Sequence, residues 1–136
     1  MFTAMRDYQP KKRNKYQLPT PVYHQTLWLI RDYDRIAAEL EAILLESPDP
    51  PDGMPSCNTL SDEVARKAER RDQLLTKKLA IDKSLDRIPP EYRRGVWENV
   101  QLRKPFPIDA DRATYGRQKS LFIREVAILM GFVEKK

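Results

Sequence analysis

Apolar residues recur every three or four positions through most of this 136-residue chain, and prolines interrupt that pattern in a few places. Spacing of this kind aligns apolar side chains along one side of an α-helix. Proline stops a helix because its ring clashes with the preceding turn and its nitrogen carries no hydrogen. The sequence therefore predicts an all-α protein whose helix ends are set largely by prolines.

The first predicted helix begins with Thr20 as its N-cap and Pro21 in its first turn, and it runs to about Glu46. Residues 47–60 hold four of the eleven prolines and have no apolar period, which is typical of a linker. A second helix is then expected from Ser61, as its cap, to the proline pair at 89–90.

At 1.5 Å per residue each of these two helices is roughly 40 Å long, and a short linker joins them. Equal length predicts two long antiparallel helices, a hairpin or coiled-coil-like stalk over residues 20–88. Arg71 and Lys78 occupy positions where a strict heptad needs apolar groups. The pattern thus leaves two alternatives, an internal hairpin or the use of one helix as a dimer or partner surface.

Residues 89–136 are expected to form a separate head that resembles a helix-turn-helix unit. A short helix starts at Pro90 and fades near Arg103, and the prolines of residues 104–107 make a rigid corner. Asp109 or Asp111 is placed to cap a last helix that runs from Arg112 to Met130. The first half of that helix is polar and basic and the second half is apolar, a division that suits a helix inserted into the major groove of DNA.

Charge is concentrated at the two ends of the chain. Residues 1–19 and 89–136 each carry a net charge of +4, whereas residues 20–50 carry −4, so a polyanion would be attracted to the ends. Residues 1–19 have no periodic apolar partners and are expected to form a flexible basic arm. That arm is either a solvated tail or a contact to phosphates or the minor groove.

The basic head contains candidates for both base and backbone contacts with duplex DNA. Arg117 could bind guanine, Gln118 could bind adenine, and the methyl group of Thr114 could pack on thymine. Six further residues are expected at phosphates: Arg93, Arg94, Arg103, Lys104, Lys119 and Arg124. The alternative is that these charges only cover the solvated faces of amphipathic helices.

Several blocks of the chain occur in the order found in one family. They are YHQTLWLIRDYDR, SPDPPDGMP, PPEYRRGVWENV, KPFP, ATYGRQKSLFIREVA and MGF. Together they resemble the RinA-type transcriptional activators of bacteriophages, over nearly the whole chain from Leu18 onward. The resemblance implies activation of late packaging and morphogenesis genes, and a C-terminal part similar to region 4 of sigma factors.

The resemblance also implies partners and a reading surface. The partner would be double-stranded promoter DNA in the host cytoplasm, with host RNA polymerase and a second copy of the chain as further expected contacts. The residues that read the promoter would be Arg112, Thr114, Tyr115, Arg117, Gln118 and Lys119. A usual helix-turn-helix has a full scaffold helix and a Gly-containing turn before its recognition helix, whereas Pro105 to Asp109 leaves room here for only a corner or a single turn. This departure leaves the docking angle open, and with it which side chains reach bases.

Enzyme chemistry finds little support in the sequence. His24, the only histidine, lies at the start of an amphipathic helix, where a structural or exposed role is expected. Cys57, the only cysteine, lies in the linker without a basic or histidine neighbour to activate it. No Cys/His spacing indicates zinc and no Gly-rich loop indicates nucleotide phosphates, so no cofactor is expected. No apolar run approaches a membrane span and no secretory signal is visible, which predicts a cytoplasmic protein. The alternative function is a non-enzymatic helical adaptor that binds a protein partner through its hairpin.

Overall fold

In the computed structural model, which describes residues 9, 15–45 and 58–134, the chain is all-α, as predicted. The described residues form five helices and no strand. They are α1 (Thr20–Arg31), α2 (Tyr33–Leu45), α3 (Asn58–Asp86), α4 (Pro90–Leu102) and α5 (Arg112–Leu129). Within these ranges, none of the helices combines the length and the apolar character that crossing a bilayer requires.

The first long helix of the prediction is two helices, because the chain turns at Asp32. The carboxylate of Asp32 binds the guanidinium of Arg35 in two contacts of 2.5 and 2.7 Å, which lowers the pKa of Asp32. The turn lets the two halves pack on different partners. α1 lies against α4 and α5, whereas α2 lies against α3.

The second predicted helix starts earlier than expected. α3 begins at Asn58, so Ser61 lies inside the helix and is not its cap, and residues 58–60 do not belong to the linker. The rest of the predicted linker lies outside the described residues. At the first helix the N-cap is Pro19, one residue before the predicted Thr20, a shift within the usual uncertainty of helix ends.

α2 and α3 run antiparallel along each other. The hydroxyl of Tyr33, at the start of α2, donates to Asp82 Oδ1 near the end of α3 at 2.7 Å. Farther along α2, Glu39 accepts from Arg70 Nη2 at 2.7 Å. Burial and the neighbouring Asp82 carboxylate raise the pKa of Tyr33. Because residue numbers rise in α2 while they fall in α3, the two helices point in opposite directions.

One apolar core joins both halves of the chain. It contains side chains from the N-terminal segment, from α1, from the end of α3 and the segment after it, and from α4 and α5. These are Leu18, Tyr23, Leu27, Ile30, Ile81, Ile88, Val96, Val100, Tyr115, Phe122, Ile123, Val126 and Ala127. The core therefore crosses residue 88, where the sequence suggested that a separate head begins.

Part of the N-terminal segment also packs on this core. Leu18 is buried, and its backbone is held on both sides by the side-chain amide of Gln9, which accepts from Leu18 N at 3.0 Å and donates to Leu18 O. The expectation of a flexible arm is thus wrong for Gln9 and Leu18. The basic residues Lys11, Lys12 and Arg13 lie outside the described part of the chain.

Candidate nucleic-acid interface

One side of α5 packs into the apolar core, and the opposite side faces solvent. Tyr115, Phe122 and Val126 are each at most 1% exposed and fill the core. Thr114, Arg117 and Arg124 follow one another at spacings of three and seven residues, which places them together on the opposite side of the helix. Arg117 is exposed, and Thr114 and Arg124 are half-buried at the edges of this side. We call these three residues the outward face of α5.

The outward face is basic without a compensating carboxylate on the same helix. α5 contains four basic residues, and its single acidic residue, Glu125, is buried. Glu125 Oε2 lies 3.4 Å from Arg87 Nη1, just after the end of α3, and this contact balances its charge. Arg117 and Arg124 are seven residues apart, or roughly 10 Å along the helix axis.

Tyr115 is a correction to the predicted set of DNA-contacting residues. Its ring stacks on Phe106 at 5.3 Å and meets the edge of Tyr92 at 5.3 Å, and its hydroxyl donates to Asp109 Oδ1 at 2.7 Å. The hydrogen bond to Asp109, together with burial, raises the pKa of Tyr115 to about 12. A ring enclosed in this way holds the corner before α5 and cannot touch DNA in this arrangement.

Gln118 and Lys119 are also turned away from the outward face. The side-chain oxygen of Gln118 is buried, with no hydrogen-bond partner among the described residues. Bidentate binding of adenine needs both polar atoms of the amide at the surface. The ammonium of Lys119 lies 6.0 Å from the centre of the Phe106 ring, over the corner. Arg112, in contrast, is exposed at the start of α5.

The N-cap of α5 is Asp111, one of the two predicted candidates, although its side chain makes no capping hydrogen bond. Asp109, the other candidate, instead accepts from Tyr115. The corner between α4 and α5 spans residues 103–111, which is longer than the three- or four-residue turn of a usual helix-turn-helix.

The two arginines of α4 that are predicted to contact phosphates differ in the interactions that their side chains already make. Arg93 donates from Nε to Ile88 O and from Nη2 to Asp86 O, both at 2.7 Å, so it closes the end of α3. These two bonds use two of the five N–H donors of the guanidinium, so a phosphate contact by Arg93 does not require breaking them and stays a prediction. Arg94 is exposed and pairs with Glu98 at 3.1 Å, a contact that solvent screens.

The end of α4 presents a second basic cluster. Arg103 adopts the left-handed conformation (φ 58°), which lets the N–H of Lys104 bind Glu98 O and reverses the chain. Asn99 supports the turn by donating to Lys104 O at 2.7 Å. Both Arg103 and Lys104 are exposed at this turn.

Trp28 lies beside this second basic cluster, and the sequence did not single it out as a candidate site residue. Trp28 is 58% exposed, and the guanidinium carbons of Arg31 and Arg103 lie 5.3 and 5.9 Å from the centre of its ring. Arg31 also donates from Nε to Val100 O at 3.0 Å, which ties α1 to α4. The sequence does contain an indication that Trp28 is exposed, because this residue falls outside the apolar stripe of α1.

No protein-family model matches the sequence, and no curated protein or solved structure is significantly similar to the chain.

Proposed function

We propose that this protein is a sequence-specific DNA-binding transcriptional activator of the RinA type, which serves phage late genes in a bacterial host cell. α4, the corner and α5 act as a helix-turn-helix-like unit, and the α2–α3 pair acts as the stalk. Promoter recognition of the kind made by sigma region 4 would use the outward face of α5.

The observation that carries the proposal is the division of α5 into an anchored side and a basic outward face. An α-helix fits the major groove, where an arginine can bind guanine O6 and N7 together. Arg117 is exposed at the centre of the outward face, with the methyl-bearing Thr114 one turn before it. Arg112, Arg124, Lys104, Arg103 and Arg94 would neutralise phosphates and set the register.

DNA binding tests the proposal directly. We expect duplex DNA binding to weaken roughly five-hundredfold between about 50 and 200 mM salt, which corresponds to the five phosphate contacts proposed above. Arg117→Ala should reduce discrimination between promoter and random DNA by about 1–3 kcal/mol, whereas Lys104→Ala should weaken binding to both alike. Fluorescence anisotropy on the promoter of the neighbouring operon, found by footprinting, measures both effects.

Arg66→Ala provides a matched control, because it removes the same charge from an exposed position on α3. It should leave binding and discrimination nearly unchanged. Absence of binding at low salt would contradict the proposal as a whole. Equal losses for Arg117→Ala and Lys104→Ala would contradict the division into base and backbone contacts.

A second candidate is a non-enzymatic helical interaction protein that binds a protein partner through α2 and α3. The observation in its favour is a set of exposed apolar side chains on α3, at Val64, Leu75 and Leu79. In the activator, this same region would be the place for a contact with host RNA polymerase or with a second copy of the chain. Failure to bind DNA at low salt would favour this second candidate.

A further inference from the structure

Trp28 exposes an aromatic ring on the surface of α1. The residue is 58% exposed, whereas Leu27 and Ile30 of the same helix are at most 1% exposed. The other tryptophan of the chain, Trp97, is half-buried and meets the edge of the Tyr33 ring at 5.1 Å. A ring as large as indole loses favourable apolar burial when it stays in water. Exposed tryptophan is therefore typical of a binding surface, where a ligand covers part of the ring.

An open hollow of about 680 Å³ lies beside the indole, between α1, α3 and the turn that follows α5. Trp28, Met130 and Phe132 give it apolar walls, and Gln25 and Lys77 add polar atoms. Ligand pockets commonly combine apolar walls with a few polar groups in this way, at roughly 300–1,000 Å³. The hollow therefore offers space next to the indole for a flat ring.

The surface around the indole is positively charged. Arg31 is the only charged residue of α1, and Arg103 and Lys104 are exposed at the end of α4. Asp32 is the one carboxylate among the described residues that line the hollow, and Arg35 binds it in two contacts of 2.5 and 2.7 Å. The charge of Asp32 is thus balanced within the chain, and an anionic ligand at the indole would meet mainly cations.

An aromatic ring with cations beside it suits nucleic acid whose bases are unpaired. A base stacks its flat face on the indole, while arginines bind the phosphates on either side. The guanidinium carbons of Arg31 and Arg103 lie 5.3 and 5.9 Å from the ring centre, farther than the roughly 3.5–4 Å of direct contact. Neither group therefore closes the ring centre to a base. In a duplex each base face is covered by its neighbours, so only an unpaired base can stack here.

We propose that Trp28, Arg31 and Arg103 form a site for single-stranded nucleic acid. An unpaired base stacks on the indole and extends over the hollow, and the two guanidinium groups bind the phosphates beside that base. The site uses chemistry that DNA and RNA share. It goes beyond the proposed function, which concerns duplex DNA on the outward face of α5, and it does not depend on that function. Arg103 is the only side chain assigned to both.

Binding of a short oligodeoxyuridine by the full chain tests the stacked base. Trp28→Ala should raise Kd about five- to a hundredfold, because stacking on an aromatic side chain is lost. Trp28→Phe should lose less, because a smaller aromatic face remains. Leu44→Ala, which truncates a similarly exposed (60%) apolar side chain on α2, is the control and should bind like wild type. Fluorescence anisotropy of the labelled strand measures each Kd.

A strand of the same length without bases separates stacking from charge. Such an abasic strand keeps the phosphates, so wild type should bind it about as weakly as Trp28→Ala binds oligodeoxyuridine. Trp28→Ala should weaken the binding of the abasic strand no further. Oligouridine differs from oligodeoxyuridine only in its 2′-hydroxyl groups, and Trp28→Ala should weaken the binding of both. The strand that wild type binds more tightly shows whether the site takes DNA or RNA.

Tryptophan emission reports on the stacking itself, because the chain has only two tryptophans. Trp97→Phe leaves Trp28 as the sole tryptophan, and circular dichroism on this variant checks that its helix content is retained. Saturating oligodeoxyuridine should quench the emission of Trp28, because a stacked base quenches an indole. The abasic strand should quench it much less.

Three results would overturn the inference. They are equal affinities of wild type and Trp28→Ala for oligodeoxyuridine, an abasic strand that binds as tightly as the strand with bases, and an emission of Trp28 that does not change at saturation. Any of these results, together with duplex discrimination that depends on Arg117, would leave the proposed function standing. Single-strand binding that depends on Trp28, without any duplex binding at low salt, would overturn the proposed function alone.

Discussion

Gly95 decides how closely the corner approaches α4. It is buried, and a Cβ at this position would lie 2.6 Å from Tyr115 Cε1 and 2.7 Å from Pro107 Cδ. Real Cβ atoms essentially never make contacts under 3.0 Å. The two neighbours that would have to move are a core ring and a proline, neither of which can swing aside. The absence of a side chain at Gly95 is therefore a condition for the present position of α5.

We expect Gly95→Ala to destabilise the protein by about 1–3 kcal/mol through overpacking, measured by urea denaturation. Gly116→Ala is the control, because nothing lies within 4 Å of its Cβ position and alanine favours a helix interior. That control should gain roughly 0.5–1 kcal/mol. Equal changes at the two glycines would show that the contacts at Gly95 are not restrictive.

At the scale of elements, the corner of residues 103–111 is held by aromatic packing from both flanking helices. Phe106 from the corner and Tyr92 from α4 both contact the ring of Tyr115 on α5. The hydroxyl of Tyr115 returns to the corner at Asp109. The packing of this buried ring therefore fixes the orientation of α5, although the Asp111 side chain makes no capping hydrogen bond.

The raised pKa of Tyr115 gives a pH dependence that Tyr115→Phe removes. An unfolded tyrosine ionises near pH 10, whereas the folded value is about 12. The folded state thus holds the proton more tightly, so this stabilisation is complete below pH 10 and is lost as pH rises from 10 towards 12. Thermal unfolding should show wild type more stable than the variant by about 1 kcal/mol near pH 8.

That difference should shrink steadily above pH 10. Tyr33, whose pKa is also raised, is present in both proteins, and its effect cancels in the comparison. A wild-type advantage that stays constant up to the highest pH would contradict the assignment of the shift to Tyr115.

At the scale of the whole molecule, α4 and α5 depend on the rest of the chain for their core. Leu27 and Ile30 from α1, Ile81 from α3 and Ile88 from the segment after α3 are at most 1% exposed in the same cluster as Phe122. The Arg87–Glu125 pair adds a polar contact between α5 and the segment after α3. The surface that we propose for DNA thus rests on packing from both ends of the sequence.

We expect the fragment 89–136 to lose cooperative thermal unfolding and most of its helix content, measured by circular dichroism. A chain of this size buries too little apolar surface on its own, and here it would also expose Phe122, Val126 and Ala127. The full chain, measured under the same conditions, should unfold in one transition. A fragment with native helix content and a dispersed amide NMR spectrum would instead support an independent head.

Helix content and several helix ends follow from the sequence alone, because they depend on local interactions. Pro90 begins α4 where its missing N–H costs nothing, and Asp111 precedes α5 as predicted. The positive charge of α5 likewise follows from its residue types alone. The predicted end of the linker, at residue 60, was wrong, because no local interaction makes α3 start at Ser61 rather than at Asn58.

Which side of each helix faces outward was decided only by the tertiary structure. Tyr115 looks like a surface residue beside Thr114 and Arg117, yet packing against α4 and the corner encloses it. The break at Asp32 separates a helix that packs on α4 and α5 from a helix that packs on α3. These partners lie far away in the sequence, so local residues do not reveal them. Helix formation is settled within a few residues, whereas burial depends on where distant segments meet.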